Sequence, residues 1–211
     1  MVLFNTYIKR TLFIIILLSL AGHKSYAQNA DINMLRSINL HRNKSLDGAM
    51  ELITNSVYPL SAGIPIAELV YGYARHDEKM KMYGWQTIAG LGVNTILTTG
   101  FKYSINRTRP AVKYPDIDAY EAKTDHSFPS GHTSYAFYSA TSLSICFPKW
   151  YVIAPGYALA TLTGYSRMHL GVHYPTDVLA GAVIGTGSAW LAYKGNKWLQ
   201  GRRENKHVAV E

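Results

Sequence analysis

The sequence predicts an all-α fold, a helical bundle held in a membrane by five core spans behind an N-terminal signal or anchor. Three observations predict it. Five apolar segments, 49–74, 84–101, 132–147, 150–165 and 177–193, are separated by polar or proline-bearing connections. Hydrophobic residues make up 48% of the 211-residue chain and charged residues 16%, against roughly 25% charged in an average soluble domain. Gly181 and Gly185, four residues apart, form a small-residue face along which membrane helices pack closely. The mean hydropathy of -0.04 does not by itself demand a membrane.

Residues 1–27 have the form of a secretory signal. Lys9 and Arg10 precede the apolar run 12–20, and Ser25-Tyr26-Ala27 offers small residues for cleavage before Gln28. The alternative is an uncleaved first transmembrane helix, for which the run is short, since a span needs about 20 residues. Residues 28–195 then form one domain, and 196–211 a polar basic tail, expected to fray. Within the domain, Ile32, Leu35, Ile38 and Leu40 sit at near-helical spacing. They predict a short amphipathic helix, lying on a membrane surface or packed on the domain.

The segment 49–74 carries Pro59, Pro65 and Glu68. Membrane helices tolerate such prolines where neighbours satisfy the freed backbone, and Glu68 is expected to face the interior and pair with a neighbouring helix. Residues 75–83 read as a charged loop. The next segment, with Gly90, Gly92 and Gly100 as packing positions, ends at Lys102. Residues 102–128 are a polar loop with Pro110 and Pro115, whose Asp116 and Asp118 lack the companions a metal site needs. Gly181-x3-Gly185 is no phosphate loop, because no Gly-Lys-Ser/Thr follows.

The formal charge is +8, and residues 1–27 hold Lys9, Arg10 and Lys24 with no acid, which leaves +5 for the rest. That balance suits anionic partners, a phosphate ester or an anionic membrane surface. The basic residues do not cluster on one predicted helix and no nucleic-acid motif is present, so nucleic acid is not an expected partner. The single cysteine, Cys146, excludes an internal disulfide and lies in an apolar run as an inert thiol would.

The chemistry concentrates in 166–177, Ser-Arg-Met-His-Leu-Gly-Val-His-Tyr-Pro-Thr-Asp. Pro175 suits the first position of a helix, with Tyr174 as its cap. His173 then lies just before the helix and Asp177 in its first turn, where an acid meets the positive end of the dipole and reaches back past the cap. Asp177 can accept the proton of one His173 ring nitrogen, leaving the other free as a nucleophile. Arg167 supplies a fork of donors suited to phosphate. Read alone, the stretch fits equally well a capped helix beside a structural histidine.

Two further blocks alter that balance. Lys102 and Arg109-Pro110 make a Lys-x6-Arg-Pro pattern, and Pro129-Ser130-Gly131-His132 opens the next apolar run. With Ser166-Arg167-x5-His173-x3-Asp177 they form, in order, a three-part signature. It resembles that of the type 2 phosphatidic acid phosphatase superfamily, which also holds bacterial class A acid phosphatases and vanadium haloperoxidases. Every fixed position is present. Arg107 and His169 lie inside the blocks at positions the pattern leaves open, and receive no role.

The resemblance implies phosphoryl transfer with neither metal nor cofactor. His173 is the implied nucleophile, oriented by Asp177, and His132 the implied acid and base. Lys102, Arg109, Arg167, Ser130 and the Gly131 amide are the implied phosphate ligands. If each apolar segment spans, the blocks meet on one face. The opposite face holds 75–83, Lys149 and the basic tail, and is cytoplasmic by the positive-inside rule. The expectation is a bacterial inner-membrane lipid phosphatase with a periplasmic site. Its implied substrate is phosphatidate, phosphatidylglycerol phosphate, an isoprenyl diphosphate or lipid A. A soluble periplasmic acid phosphatase is the alternative. A haloperoxidase ranks lower, since those chains are longer.

Overall fold

The structure is a computed structural model that describes residues 24–121 and 123–208, with side chains for 29–121 and 123–202. The apolar run of the expected signal lies outside the described residues, and the expected cleavage position falls within the first helix. The described chain is helical, as expected: α1 (Lys24–Asn39), a 3-10 turn (Lys44–Leu46), α2 (Asp47–Asn55), α3 (Val57–Ala74), α4 (Glu78–Ile105), α5 (Pro110–Lys113), α6 (Gly131–Cys146), α7 (Trp150–His169) and α8 (Pro175–Val208). Helix α6 is the hub, packed by α3, α4, α7 and α8, while α1 and α2 lie against α7 near the site.

Several boundaries differ from expectation for local reasons. The charged loop is shorter than 75–83, because Asp77 accepts the amides of Lys79 and Met80 and starts α4 at Glu78. Lys102 therefore sits in the last turn of α4, whose C-cap Asn106 takes the left-handed conformation. The segment 49–74 is two helices meeting at Ser56. The loop 102–128 contains the short α5, opened by Pro110. The tail does not fray at 196, since α8 runs on to Val208.

Helix α1 packs on the domain and does not lie apart on a surface: Ile32 and Leu35 are buried against Ile117 and Tyr174. Asp116 and Asp118 are structural, paired with Arg36 and with Arg42 and Lys44. Of the glycines, Gly181 and Gly185 bring α8 onto α6. A Cβ at Gly181 would lie 2.5 Å from the Ser130 carbonyl oxygen, and one at Gly185 would overlap that of Ser134. Gly90 likewise meets Ala192 and Tyr138, whereas Gly92 and Gly100 face open space and pack nothing.

The bundle buries small and polar groups and exposes large apolar ones. Ser61, Gln86, Thr87, Asn94, Thr98, Ser134, Ser142, Thr163 and Ser188 are inside, joined by bonds such as Thr98–Ser134 at 2.9 Å and Ser134–Asn94 at 2.7 Å. Glu68 is also inside, yet its carboxylate oxygens have no hydrogen-bond partner among the described residues, so the expected pairing is not formed. Leu60, Ile66, Val70, Ile96, Leu159, Leu162, Leu179 and Val183 point outward. Among the described residues, no helix is long and apolar enough to cross a membrane. Inward Ser, Thr, Asn and Gly lower each helix's average, although its outer face is apolar.

Candidate active site

The site forms where helix ends meet. Pro175 opens α8, and Asp177 in its first turn accepts the Tyr174 amide at 3.0 Å, so the acid reaches back past the helix start as expected. Asp177 is completely buried. The same oxygen takes the Ser127 hydroxyl, and its partner oxygen takes Arg107 Nη1 at 2.6 Å. The bonds hold the carboxylate rigidly beside His173, whose Nδ1 lies 3.5 Å from Asp177 Oδ2. That separation is longer than a firm hydrogen bond.

His173 is 2% exposed. Its backbone amide and that of Val172 both donate to the Arg167 carbonyl, which ties the histidine loop to the end of α7. Arg109 Nη1 donates to the Val172 carbonyl at 2.7 Å and faces His173 Nε2 at 3.3 Å. A guanidinium only donates, so this contact assigns the lone pair to Nε2 and the proton to Nδ1, toward Asp177. Burial pulls the imidazole from its ordinary 6.5 down to about 4, against the opposing pull of Asp177, and keeps it neutral at pH 7.

Arg167, 2% exposed, donates from Nη1 to Thr54 of α2 at 3.0 Å, while its Nε meets no acceptor among the described residues. Lys102, in the last turn of α4, and Arg109 converge on the Asp125 carboxylate. Ser130 is the cap residue at which α6 begins, and its side chain makes no capping bond to the helix amides. Its amide donates to the Asp177 carbonyl at 3.0 Å and its hydroxyl lies 2.9 Å from that of Thr133. The amide thus joins α6 to α8, while the hydroxyl bond stays within α6. Gly131 and His132 follow as the first residues of α6, whose opening amides form an anion-binding end. The His132 ring lies in the field of Arg167, His173 and Lys102, and packs at a tilt against Tyr58 of α3, with ring centroids 4.6 Å apart.

Thus all eight expected residues belong to one connected cluster. Three contributors had no role in the sequence reading. Arg107 clamps Asp177 and bridges it to Asp31 of α1 at 2.6 Å. Its signal was spacing: residues 107 and 109 lie two apart in extended chain and so share a face. Tyr58 and Asp125 had no local signal. Among the described residues, no group of three or more His, Cys, Asp or Glu side chains is placed to hold a metal ion.

Three cations converging near a buried neutral imidazole, at the mouth of a helical bundle, define a class of enzyme built to handle a phosphate-like anion. The chain belongs to the PAP2 superfamily, whose family model matches residues 83–200. It is a phosphatase. It is 29% identical over 164 residues to an undecaprenyl-diphosphatase of Sulfolobus acidocaldarius, covering 77% of this chain and 75% of that one. It is 32% identical over 144 residues to the undecaprenyl-diphosphatase BcrC of Bacillus subtilis, covering 68% and 72%. Among solved structures it resembles the first transmembrane PAP2 type phosphatidylglycerolphosphate phosphatase from Bacillus subtilis, with a TM-score of 0.68 at 26% identity. That match covers 88% of this chain and 94% of that one.

Proposed function

We propose that the protein removes phosphate from a phosphorylated membrane lipid, with His173 as the nucleophile. The observation that carries the lipid reading is an apolar crevice of about 220 Å³ between α3, α6 and α7, lined by Val57, Leu60, Ile64, Ala136, Leu143 and Leu159. It starts at Val57, beside the Tyr58 that touches His132, so a chain lying there would carry its head group to the cations. A soluble phosphate ester has no use for such a crevice. The relatives' names favour a prenyl diphosphate or a glycerophospholipid phosphate as the head group.

In the proposed reaction, His173 Nε2 attacks phosphorus and the bond to the leaving oxygen breaks, giving a phosphohistidine. His132, held neutral in the free enzyme by burial and the nearby cations, takes up a proton with the dianionic substrate, donates it to that oxygen, then takes one from the water that attacks phosphorus and restores Nε2. Lys102, Arg109 and Arg167 balance the charge on the equatorial oxygens, the task a metal performs elsewhere. The first amides of α6 add donors. With three fixed cations supplying the charge, activity is expected to persist in EDTA, while orthovanadate inhibits.

The test is purified protein in detergent, measuring phosphate release from an isoprenyl diphosphate, phosphatidate and a short water-soluble phosphomonoester. The lipids are expected to be turned over with a kcat/KM at least about tenfold above the soluble ester, a preference of about 1.4 kcal/mol. Equal values would favour the soluble acid phosphatase. Activity lost in EDTA and restored by a divalent ion would overturn the metal-free route.

The apolar outer face described above supports a membrane location, with exposed Tyr71, Tyr73, Trp85, Trp150, Trp190 and Trp198 toward the end away from His173. Charge supports the orientation. Near the site most cations are matched, Arg36 by Asp116, Arg42 by Asp47, Lys44 by Asp118 and Lys123 by Glu121, with Lys113 and Arg167 outside these pairs. At the other end Arg75, Lys79, Lys149, Lys194, Lys197 and Arg202 outnumber the acids, and Lys81–Glu78 is the one ion pair there among the described residues. That end is cytoplasmic in the proposed arrangement and the site faces the periplasm. With Cys146 changed to serine, cysteine at position 44 is expected to react with a membrane-impermeant thiol reagent on spheroplasts, and cysteine at position 78 only after lysis. The reverse pattern would turn the enzyme over in the membrane.

A further inference from the structure

The Asp125 side chain lies in the cradle itself. One carboxylate oxygen takes Lys102 Nζ at 2.6 Å, and the other takes Arg109 Nε at 2.9 Å and Nη2 at 2.7 Å. These are donors the proposed reaction assigns to phosphate oxygens, so an anion built into the chain covers the substrate's place. Charge-assisted, forked contacts of this kind are the strong ones. Arg109 does not depend on them for its position. Its Nη1 is anchored on the Val172 carbonyl at 2.7 Å and its Nε also reaches the Asp125 backbone carbonyl at 3.0 Å. The carboxylate can leave while the backbone keeps the guanidinium aimed.

The Asp125 side chain is 53% exposed, so once displaced it is already at the solvent and pays little for its release. Held by Lys102 and Arg109, its carboxyl stays charged, pulled down to about 2 although desolvation opposes this. It is thus a resident carrier of a single negative charge. A competitor must offer more charge than that to replace it. A terminal phosphate carries close to two charges near neutrality. A phosphodiester carries one, and phosphodiester head groups are the bulk of the anions in a phospholipid surface.

We propose that Asp125 is a specificity-determining residue: a placeholder carboxylate on Lys102 and Arg109 that yields to the dianionic phosphate of a monoester or diphosphate and excludes monoanionic phosphodiesters. The proposal rests on the reading of Lys102 and Arg109 as the phosphate cradle, and it extends that reading to the choice between head groups.

The test compares wild type with Asp125→Ala and the near-isosteric Asp125→Asn, and uses Lys102→Met as a control for the cradle. Binding of inorganic phosphate and of dimethyl phosphate is measured by calorimetry at one pH, together with inhibition of turnover where turnover remains, and melting temperatures are recorded. In wild type, phosphate is expected to bind and inhibit, and dimethyl phosphate is not. Both Asp125 variants are expected to bind phosphate about tenfold more tightly, because two charge-assisted contacts no longer have to be broken. They are also expected to become sensitive to dimethyl phosphate. If Asp125 merely held the cations in place, phosphate would bind equally or more weakly in both variants, and the proposal would be overturned. If Asp125→Ala does not fold, Asp125→Asn carries the comparison. Lys102→Met should lose phosphate binding. If it binds phosphate as wild type does, the cradle reading fails, an outcome distinct from failure of the placeholder.

Discussion

His173→Ala is expected to reduce turnover on the order of 10⁴-fold or more, the scale on which removal of a nucleophile collapses a unit that acts together. The fold should survive. The ring's close polar contact is Arg109 Nη1 at 3.3 Å, and that guanidinium keeps its shorter bond to the Val172 carbonyl at 2.7 Å. Acid quenching of a reaction with labelled substrate should trap a phosphorylated chain in wild type and none in the variant. The pH dependence adds a second reading. Burial holds His173 near 4, below its ordinary 6.5, so its lone pair is available at neutral pH. As pH falls through about 4 the ring gains a proton, and the acid limb of the phosphorylation step should lie there and not near 6.5. The same depression means that the unfolded chain binds this proton more readily. The associated stability is therefore complete above about 6.5 and falls as the pH drops toward 4. Substantial turnover by His173→Ala, or a phosphorylated variant, would remove His173 from the nucleophile's role.

Gly185→Ala is expected to prevent stable folding or to lower the melting temperature severely. The added Cβ would overlap the Ser134 carbonyl oxygen and lie 2.8 Å from the Tyr138 amide nitrogen. Both are backbone atoms of α6, which cannot swing aside as a side chain can. Helix α8 would have to move off α6, taking Asp177 away from the Ser130 amide it now accepts. Overpacking typically costs about 1–3 kcal/mol, a large share of the roughly 5–15 kcal/mol that holds a native state together. Gly187→Ala is the matched control: it lies on the same helix with nothing within 4 Å of its Cβ. That change should leave stability equal or slightly higher, since glycine in a helix costs about 0.5–1 kcal/mol relative to alanine. Equal melting of the two variants in detergent would show that close approach of α8 to α6 is not what holds the bundle.

Much of the site was legible in the sequence because its logic is local. Pro175 starts a helix by its own ring geometry, and an acid two residues later reaches back over the cap. Gly181 and Gly185 share a helix face through their spacing alone, and the structure seats both on α6. By contrast, Gly92 and Gly100 had the same small-residue character but face outward, because nothing local says which side of α4 meets a neighbour. Ser130 was read as a phosphate donor. Its amide joins α6 to α8 and its hydroxyl meets Thr133 within α6, and the first of these bonds depends on where Asp177 arrives from 47 residues later.

The sequence by itself determined the chemical inventory: three cations, two histidines and one acid, in an order and at spacings that local backbone rules place at helix ends. It also determined that the bundle is helical, since apolar segments of this length have few other ways to satisfy their backbone. Only the tertiary structure decided how the inventory is held and guarded. Thr54 meets Arg167 across 113 residues, Asp31 meets Arg107 across 76, and Asp125 lies over Lys102 and Arg109 from a loop with no regular structure. Such contacts depend on how helices cross, and crossing is set by the summed packing of many side chains. The same packing turned serines, threonines and the glycines at 90, 181 and 185 inward and leucines and tryptophans outward, an arrangement that average hydropathy cannot register.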